Sequence, residues 1–400
     1  MSPMTGLLSI EEALGRVLAR ASALEAEPVP VAAAAGRFLA ADVQSAVDLP
    51  PFASSAMDGY ALQAGDTPGK LPVVFRIAAG LPAERELAGG EAMAISTGGA
   101  VPDGADSVVP IELVVEADNE LNVPAAVEPG ANVRPAGGDV RAGELVLPAG
   151  TRIGAAQIGA LAAAGVGEVM VARRPRVTVL STGTELRAPG ESLGAGQIYE
   201  SNAPMLAAAF EAAGAEVERI GPVPDDEGEH RRALERGLEA DVLVSSGGVS
   251  VGPHDLVRRI LAELGVEEDF WGVAVRPGKP LAFGTRGKTL VFGLPGNPVS
   301  ALVGVELFVR PALHALQGAI DPRPAYETAR LTAPLRRNAA RDELARARTR
   351  RDAAGTLVEP LKGQESHMIA RAAGADALVL VQSGEGGIEA GEPVSYLRLR

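Results

Sequence analysis

The stretch from Pro175 to about Ala319 constrains the fold most, because short β-branched runs alternate there with amphipathic helical patterns. Arg176-Val177-Thr178-Val179-Leu180-Ser181 reads as a buried strand. Ser201 or Asn202 can cap a helix that places Met205, Leu206, Ala209, Phe210 and Ala213 on one face. Further strands are predicted at Glu216 to Ile220, Asp241 to Ser245, Trp271 to Val275 and Thr289 to Gly293, and an intervening helix carries Leu256, Val257, Ile260, Leu261 and Leu264. Strands joined through helices at this interval predict a mostly parallel sheet with helices on both faces, a three-layer α/β domain.

The flanking sequence changes period. Up to about Ala46 the pattern is helical: Ser9 can cap a helix, Glu12 lies three residues on, and Leu14, Val17 and Leu18 follow as an apolar stripe. From Val47 to Leu147 short β-like runs (LPVVFRIAAG, GGEAMAIS, DSVVPIELVVE, GANVRPAGGDV) are punctuated by Gly, Pro, Asp and Asn. The helix-like AAQIGALAAAGV at 155–166 then resumes. The chain thus divides into a helical region at 1–46 and 148–174, an inserted β domain at 47–147, the α/β domain at 175–326, and a C-terminal β domain, expected to be barrel-like, at 327–400. A length of 400 residues suits several cores, since single cores seldom grow past roughly 250–300 residues.

Composition excludes several function classes. With no Cys there is no disulfide, thiolate metal site or cysteine nucleophile. A net charge of -14 opposes wrapping by nucleic acid, which needs a basic face. The most membrane-like stretch, Ile153 to Ala172, is interrupted by Gln157 and Glu168 and falls short of a span. The N-terminal residues lack the basic and apolar regions of a secretory signal, so the cytoplasm is the expected compartment. His230, His254, His314 and His367 lack metal-ligand spacing, and there is no HExxH.

Ligands of doubly wound sheets sit outside the carboxyl ends of the strands, so loops there are the prime candidates. Ser181-Thr182-Gly183-Thr184-Glu185 pairs small hydroxyls and a glycine with a carboxylate able to orient a hydroxyl or share a cation. Ser245-Ser246-Gly247-Gly248-Val249-Ser250-Val251-Gly252 can aim several amides at one anion, and Asp255 follows. It is neither a GxGxxG nor a GxxxxGK[ST] loop. Leu294-Pro295-Gly296-Asn297-Pro298-Val299-Ser300 opens a long apolar helix with Pro298 in the first turn. Arg276-Pro277-Gly278-Lys279-Pro280 adds cations suited to phosphate. Each stretch taken alone is also compatible with an ordinary turn.

Taken in order, the motifs resemble the molybdopterin molybdenumtransferase family, which includes the E domain of gephyrin. They are SAMDGYA at 55–61, STGG at 96–99, PDGADSVVPIE at 102–112, NVRPAGGD at 132–139, STGTEL at 181–186, SSGGVSVG at 245–252, RPGKP at 276–280 and LPGNPVSA at 294–301. The resemblance implies a four-domain protomer in a homodimer, with a cleft between the α/β domain of one subunit and the inserted β domain of the other. It implies adenylylated molybdopterin and molybdate as substrates, molybdenum cofactor and AMP as products, and magnesium as the assisting ion. Asp58, Thr97, Asp139, Glu185, Asp225 and Asp255 would be the catalytic set, with Glu185, Asp225 and Asp255 also holding metal. Ser181, Thr182, Gly183, Ser246, Gly247, Gly248, Ser250, Gly252, Lys279, Pro295, Gly296 and Pro298 would bind the ligand. In the tail, GQESHMIARAAGADAL at 363–378 offers Ser366 and His367 as pterin contacts.

This sequence departs from the commoner family pattern at Thr184, where an acid is usual, at Leu256, often aromatic, and at Glu365, usually small. Transient contact with a molybdopterin adenylyltransferase and with cofactor-accepting apoenzymes is also implied. Two other readings fit part of the pattern. The preceding adenylylation reaction uses a related α/β domain, and a non-catalytic scaffold would keep the fold without turnover.

Overall fold

The computed structural model describes residues 6–247 and 256–399. It divides into two compact units: one is Pro28–Ala35 with Ala41–Met170, and the other holds the rest of the described chain.

Helix α1, Ile10–Arg20, opens the larger unit. The expected capping box is present: the Glu12 amide donates to Ser9 Oγ at 3.1 Å, and the Ser9 amide donates back to Glu12 Oε2 at 2.9 Å. Two orphan donors of the first turn are thereby satisfied. Ala13, Leu14 and Val17 are buried, Val17 lying four residues from Ala13 and three from Leu14 on one face.

The smaller unit is built on a six-stranded sheet: β1 Gly59–Leu62, β2 Gly69–Ile77, β3 Ala92–Ile95, β4 Ser107–Pro110, β5 Val115–Ala117 and β6 Glu120–Val123. The strands lie in the order β4-β1-β3-β2-β6-β5. All four residues of β1 are buried because apolar clusters cover both of its faces: Tyr60 and Leu62 pack with Leu71, Val109 and Leu121, while Ala61 packs with Ile77, Met93 and Val108. Helix α2, Ala155–Ala163, follows where the helical pattern resumes.

The larger unit carries the α/β sheet. Its elements are β7 Arg176–Thr182, α3 Asn202–Ala212, β8 Glu216–Val223, α4 Glu227–Gly237, β9 Val242–Ser246, α5 Leu256–Glu263, β10 Glu267–Trp271, β11 Ala282–Arg286 and β12 Thr289–Leu294. Strand order is β8-β7-β9-β12-β11-β10, with the first four parallel and the last two antiparallel. Val242 and Val244 of β9 face a core shared with Leu206 and Phe210 of α3, while Leu243 faces Leu234 of α4 and Ile260 of α5. That period of two, apolar on both sides, gives the three-layer arrangement.

One strand expected at Trp271 to Val275 is corrected. The chain instead runs as β10 up to Trp271 and turns at Gly272, where φ is +89°, and Val275–Arg276 pairs with the C-terminal sheet. Strand β11 was absent from the expectations. It forms a hairpin with β12 across Gly287, where a φ of +59° favours glycine.

Helix α6, Pro298–Leu316, is 19 residues long and apolar enough to cross a membrane, yet 78 % of it is buried inside the protein. Its Val303, Leu307, Phe308 and Leu313 pack with α1 residues Leu14 and Val17, so its hydrophobicity serves a core. The C-terminal strands β13 Tyr326–Leu331, β14 Asp342–Asp352, β15 Gly355–Pro360, β16 Ala377–Val381 and β17 Pro393–Arg398 close on themselves in the cycle β14-β15-β13-β17-β16-β14. This is the expected barrel. Closure leaves no free edge among the five.

Candidate functional site

The parallel strands β7, β9 and β12 stop together, with Ser181 opposite Ser246 and Ser246 opposite Leu294. Their ends are therefore neighbours, and a cleft of about 730 Å³ opens there. It is lined by Thr182, Gly183, Glu185, Asp225, Ser246, Gly247, Gly296, Pro298 and His367 from the expected set. Gly183 has a φ of +147°, and a Cβ there would stand 2.6 Å from Glu185 Oε2, so only glycine lets this carboxylate fold back over the turn. Thr184, where the family usually has an acid, donates its hydroxyl to Asp225 Oδ2 at 3.2 Å. It steadies a carboxylate instead of adding one.

Other expectations on this unit resolve differently. Ser181 is buried beneath the turn rather than lining the cleft, and a Cβ on Gly221 would meet its hydroxyl. The Gly247 amide is committed to Leu294 O at 3.0 Å, so Gly247 supplies close backbone approach and not a free donor. Gly248, Ser250, Gly252 and Asp255 lie outside the described residues.

A second cleft of about 490 Å³ is lined by Lys279, Pro295 and Ser366, with Arg276, Ser300 and Arg341. Asn297 and His367 line both clefts, so the two meet at those side chains. Arg276 is paired with Glu343 at 3.4 Å. Lys279 and Arg341 have no ion-pair partner among the described residues, and with Glu365 as the one carboxylate in the described lining the cleft keeps an excess of cations. The Ser366 segment is anchored on both sides: Val299 of α6 donates its amide to Ser366 O at 3.1 Å, and Arg346 donates to Gly363 O at 2.7 Å.

Three contributing residues were not singled out for the site from the sequence. Arg346 sits in β14, whose ELARARTRR run reads as a solvated charge pattern, and Arg341 immediately precedes that strand. Asn202 was read only as a helix cap, but its side chain reaches Ser246 Oγ and Gly296 O, both at 2.7 Å. An Asn beginning a helix beside a strand-end loop is the one local signal that pointed to it.

In the smaller unit, Asp58 immediately precedes β1 and its Oδ1 accepts from the Thr97 amide at 2.6 Å and from Thr97 Oγ1 at 2.9 Å. These bonds, the amide's first, hold the Asp58 carboxyl below the usual aspartate range, because they stabilise the charged form. Gly59 fixes the position: a Cβ there would lie 2.0 Å from Val109 O. Asp139 is exposed, its amide bonded to Leu49 O, and no hydrogen bond joins its side chain to Asp58 or Thr97 among the described residues.

The described residues contain no cluster of three or more His, Asp or Glu placed to hold a metal. Magnesium does not require one. It is commonly held by one or two carboxylates with substrate phosphates and water completing the octahedron. Glu185 and Asp225, both on the cleft and without ion pairs among the described residues, fit that donor set.

The doubly wound sheet with a ligand-sized cleft at its strand ends, a second β unit and a closed C-terminal barrel define a multidomain α/β protein. Residues 8–165 match the MoeA N-terminal region (domain I and II), 178–315 a probable molybdopterin binding domain, and 328–399 the MoeA C-terminal region (domain IV). Molybdopterin molybdenumtransferase 2 of Mycobacterium tuberculosis is 41% identical over 322 residues, covering 77% of this chain and 79% of that protein. Molybdopterin molybdenumtransferase of Haemophilus influenzae is 34% identical over 390 residues, covering 94% and 96%. The crystal structure of the moeA protein of Pyrococcus horikoshii superposes with a TM-score of 0.86 at 29% identity, covering 98% of this chain and all of that one. The chain belongs to the MoeA family of molybdopterin molybdenumtransferases.

Proposed function

We propose that this chain inserts molybdate into adenylylated molybdopterin, releasing molybdenum cofactor and AMP. The observation that carries the reading is the meeting of two clefts: a strand-end cleft bearing Glu185 and Asp225, and a cationic one bearing Lys279 and Arg341, joined at Asn297 and His367. A ligand with a phosphate chain suits the first and a tetrahedral oxyanion suits the second. Reaction at that junction keeps donor and acceptor within reach of each other.

Cleaving the pyrophosphate link breaks one P–O bond and leaves the electron pair on the AMP phosphate. The other phosphorus gains its new oxygen from molybdate or water. Lys279 and Arg341 hold the oxyanion as fixed positive charges. Ser246 and Thr182 offer hydroxyls to the phosphate chain, and Ser366 and His367 contact the pterin. Glu185 and Asp225, with Asp255 as third candidate, would hold magnesium, which would supply positive charge to the phosphate oxygens. Asp58, Thr97 and Asp139 complete the catalytic set. The protein acts as a homodimer in the cytoplasm, meeting the adenylyltransferase and the accepting apoenzymes transiently.

The test mixes purified protein, adenylylated molybdopterin, magnesium and molybdate, and follows AMP and active cofactor. Molybdate-dependent AMP release is expected, and Asp58→Asn should bind substrate yet lose turnover. ATP consumption would assign the preceding reaction instead, and full turnover by Asp58→Asn would remove that residue from the catalytic set.

A further inference from the structure

Asn202 is the first residue of α3 and is 7% exposed. Its Nδ2 donates to Ser246 Oγ at the end of β9 and to Gly296 O beyond β12, both at 2.7 Å. The amide orientation is set by chemistry, since turning it over would place two acceptors, Asn202 Oδ1 and Gly296 O, against each other. In this orientation the buried Oδ1 has no hydrogen-bond partner among the described residues. A buried acceptor left unsatisfied is unfavourable, so a side chain retained there for packing alone would be better apolar. Both donors of Asn202 are used, and both hold ligand loops.

The two loops are close enough for their separation to matter: a Cβ on Gly296 would lie 3.9 Å from Gly247 Cα, and the Gly247 amide already reaches Leu294 O at 3.0 Å. Because Asn202 donates to Ser246 Oγ, the Ser246 hydroxyl proton is not spent on Asn202. It remains available to an anion in the cleft.

We infer that Asn202 is a positioning residue for the phosphate-bearing ligand: one amide clamps the end of β9 to the turn after β12 and orients the Ser246 hydroxyl toward the cleft. The inference rests on the reading of this cleft as the nucleotide-phosphate site.

The test compares the parent with Asn202→Ala and Asn202→Asp, using AMP as the probe in calorimetry. Losing both donors should weaken AMP binding by about tenfold or more at every pH. In Asn202→Asp a carboxylate faces Gly296 O near neutral pH, whereas its protonated form donates again. AMP affinity of that variant should therefore recover by about tenfold between roughly pH 8 and pH 5.5, relative to the parent. Asn202→Ala should show no such recovery, and a general loss of structure would not produce one.

Hydrogen exchange without ligand supplies an independent arm. The Gly247 amide should exchange faster in Asn202→Ala while amides in the centre of β9 keep their protection. Parent-like exchange at Gly247 together with parent-like AMP affinity in Asn202→Ala would overturn the inference. A parent that fails to bind AMP, with the exchange change still present, would instead overturn the assignment of the cleft and leave the clamp standing.

Discussion

Replacing Arg346 by Met should damage both the C-terminal barrel and the ligand segment attached to it. Arg346 lies on β14 and is 1% exposed. Its guanidinium donates to Gly363 O at 2.7 Å, to Glu365 O and Met368 O at 3.3 Å each, and to Gln364 Oε1 at 3.3 Å. Burial pushes its pKa down, while the Glu365 and Glu343 charges oppose that shift. Bonds to a charged group contribute roughly 1.5–3 kcal/mol when short, and the three long ones here count for much less. Methionine fills similar volume and removes the desolvation penalty of the charge, but it strands the Gly363, Glu365 and Met368 carbonyls. Weighing these terms gives a loss of about 2–4 kcal/mol. At roughly 2–4 °C per kcal/mol for a unit of this size, the melting midpoint should fall by about 4–16 °C. Since the same carbonyls frame Ser366 and His367, KM for the adenylylated substrate should rise by about tenfold or more. Arg346→Lys keeps the charge but cannot span three carbonyls, so it should fall between the two. A midpoint within about 1 °C of the parent, with KM unchanged, would refute the account of the buried guanidinium.

Two further outcomes follow from the sites. Lys279→Ala and Arg341→Ala should each weaken molybdate binding by about 10–100-fold in calorimetry, and Arg276→Ala by less, because Glu343 already neutralises it. Equal losses for all three would contradict that division. Thr97→Val removes the hydroxyl donor to Asp58 but keeps the amide, the larger cause of the depressed pKa, so the Asp58 pKa should rise only part of the way to the ordinary value. The sign is that of a lowered folded-state pKa: the bonds stabilise the fold above the unfolded pKa, and the benefit is lost as pH falls through the folded value. The acid limb of the pH–rate profile should accordingly move to higher pH in Thr97→Val, and NMR titration of Asp58 should show the same shift.

Much of this was legible because it is local. The capping box of α1 needs only Ser9 and Glu12, and β7 and β9 announce themselves through runs such as Val177 to Leu180 that pack on both faces. The hairpin of β11 and β12 also carried a signal, with Gly287 and Lys288 between two apolar runs. The strand expected at Trp271 to Val275 failed because the apolar pattern continues through Gly272, whereas the backbone turns there.

The sequence by itself determined the parallel strands of the α/β domain, which turns would sit at their ends, and that those turns carry hydroxyls, carboxylates and cations. Periodicity and turn chemistry act over a few residues, so they are written along the chain. Tertiary structure alone decided that Asn202 reaches both Ser246 and Gly296, that Arg341 joins Lys279 across 62 residues, and that a buried Arg346 holds the Ser366 segment. Those contacts arise from the order in which strands pair and the way a barrel closes, which depend on packing among distant segments and leave no mark on any one of them.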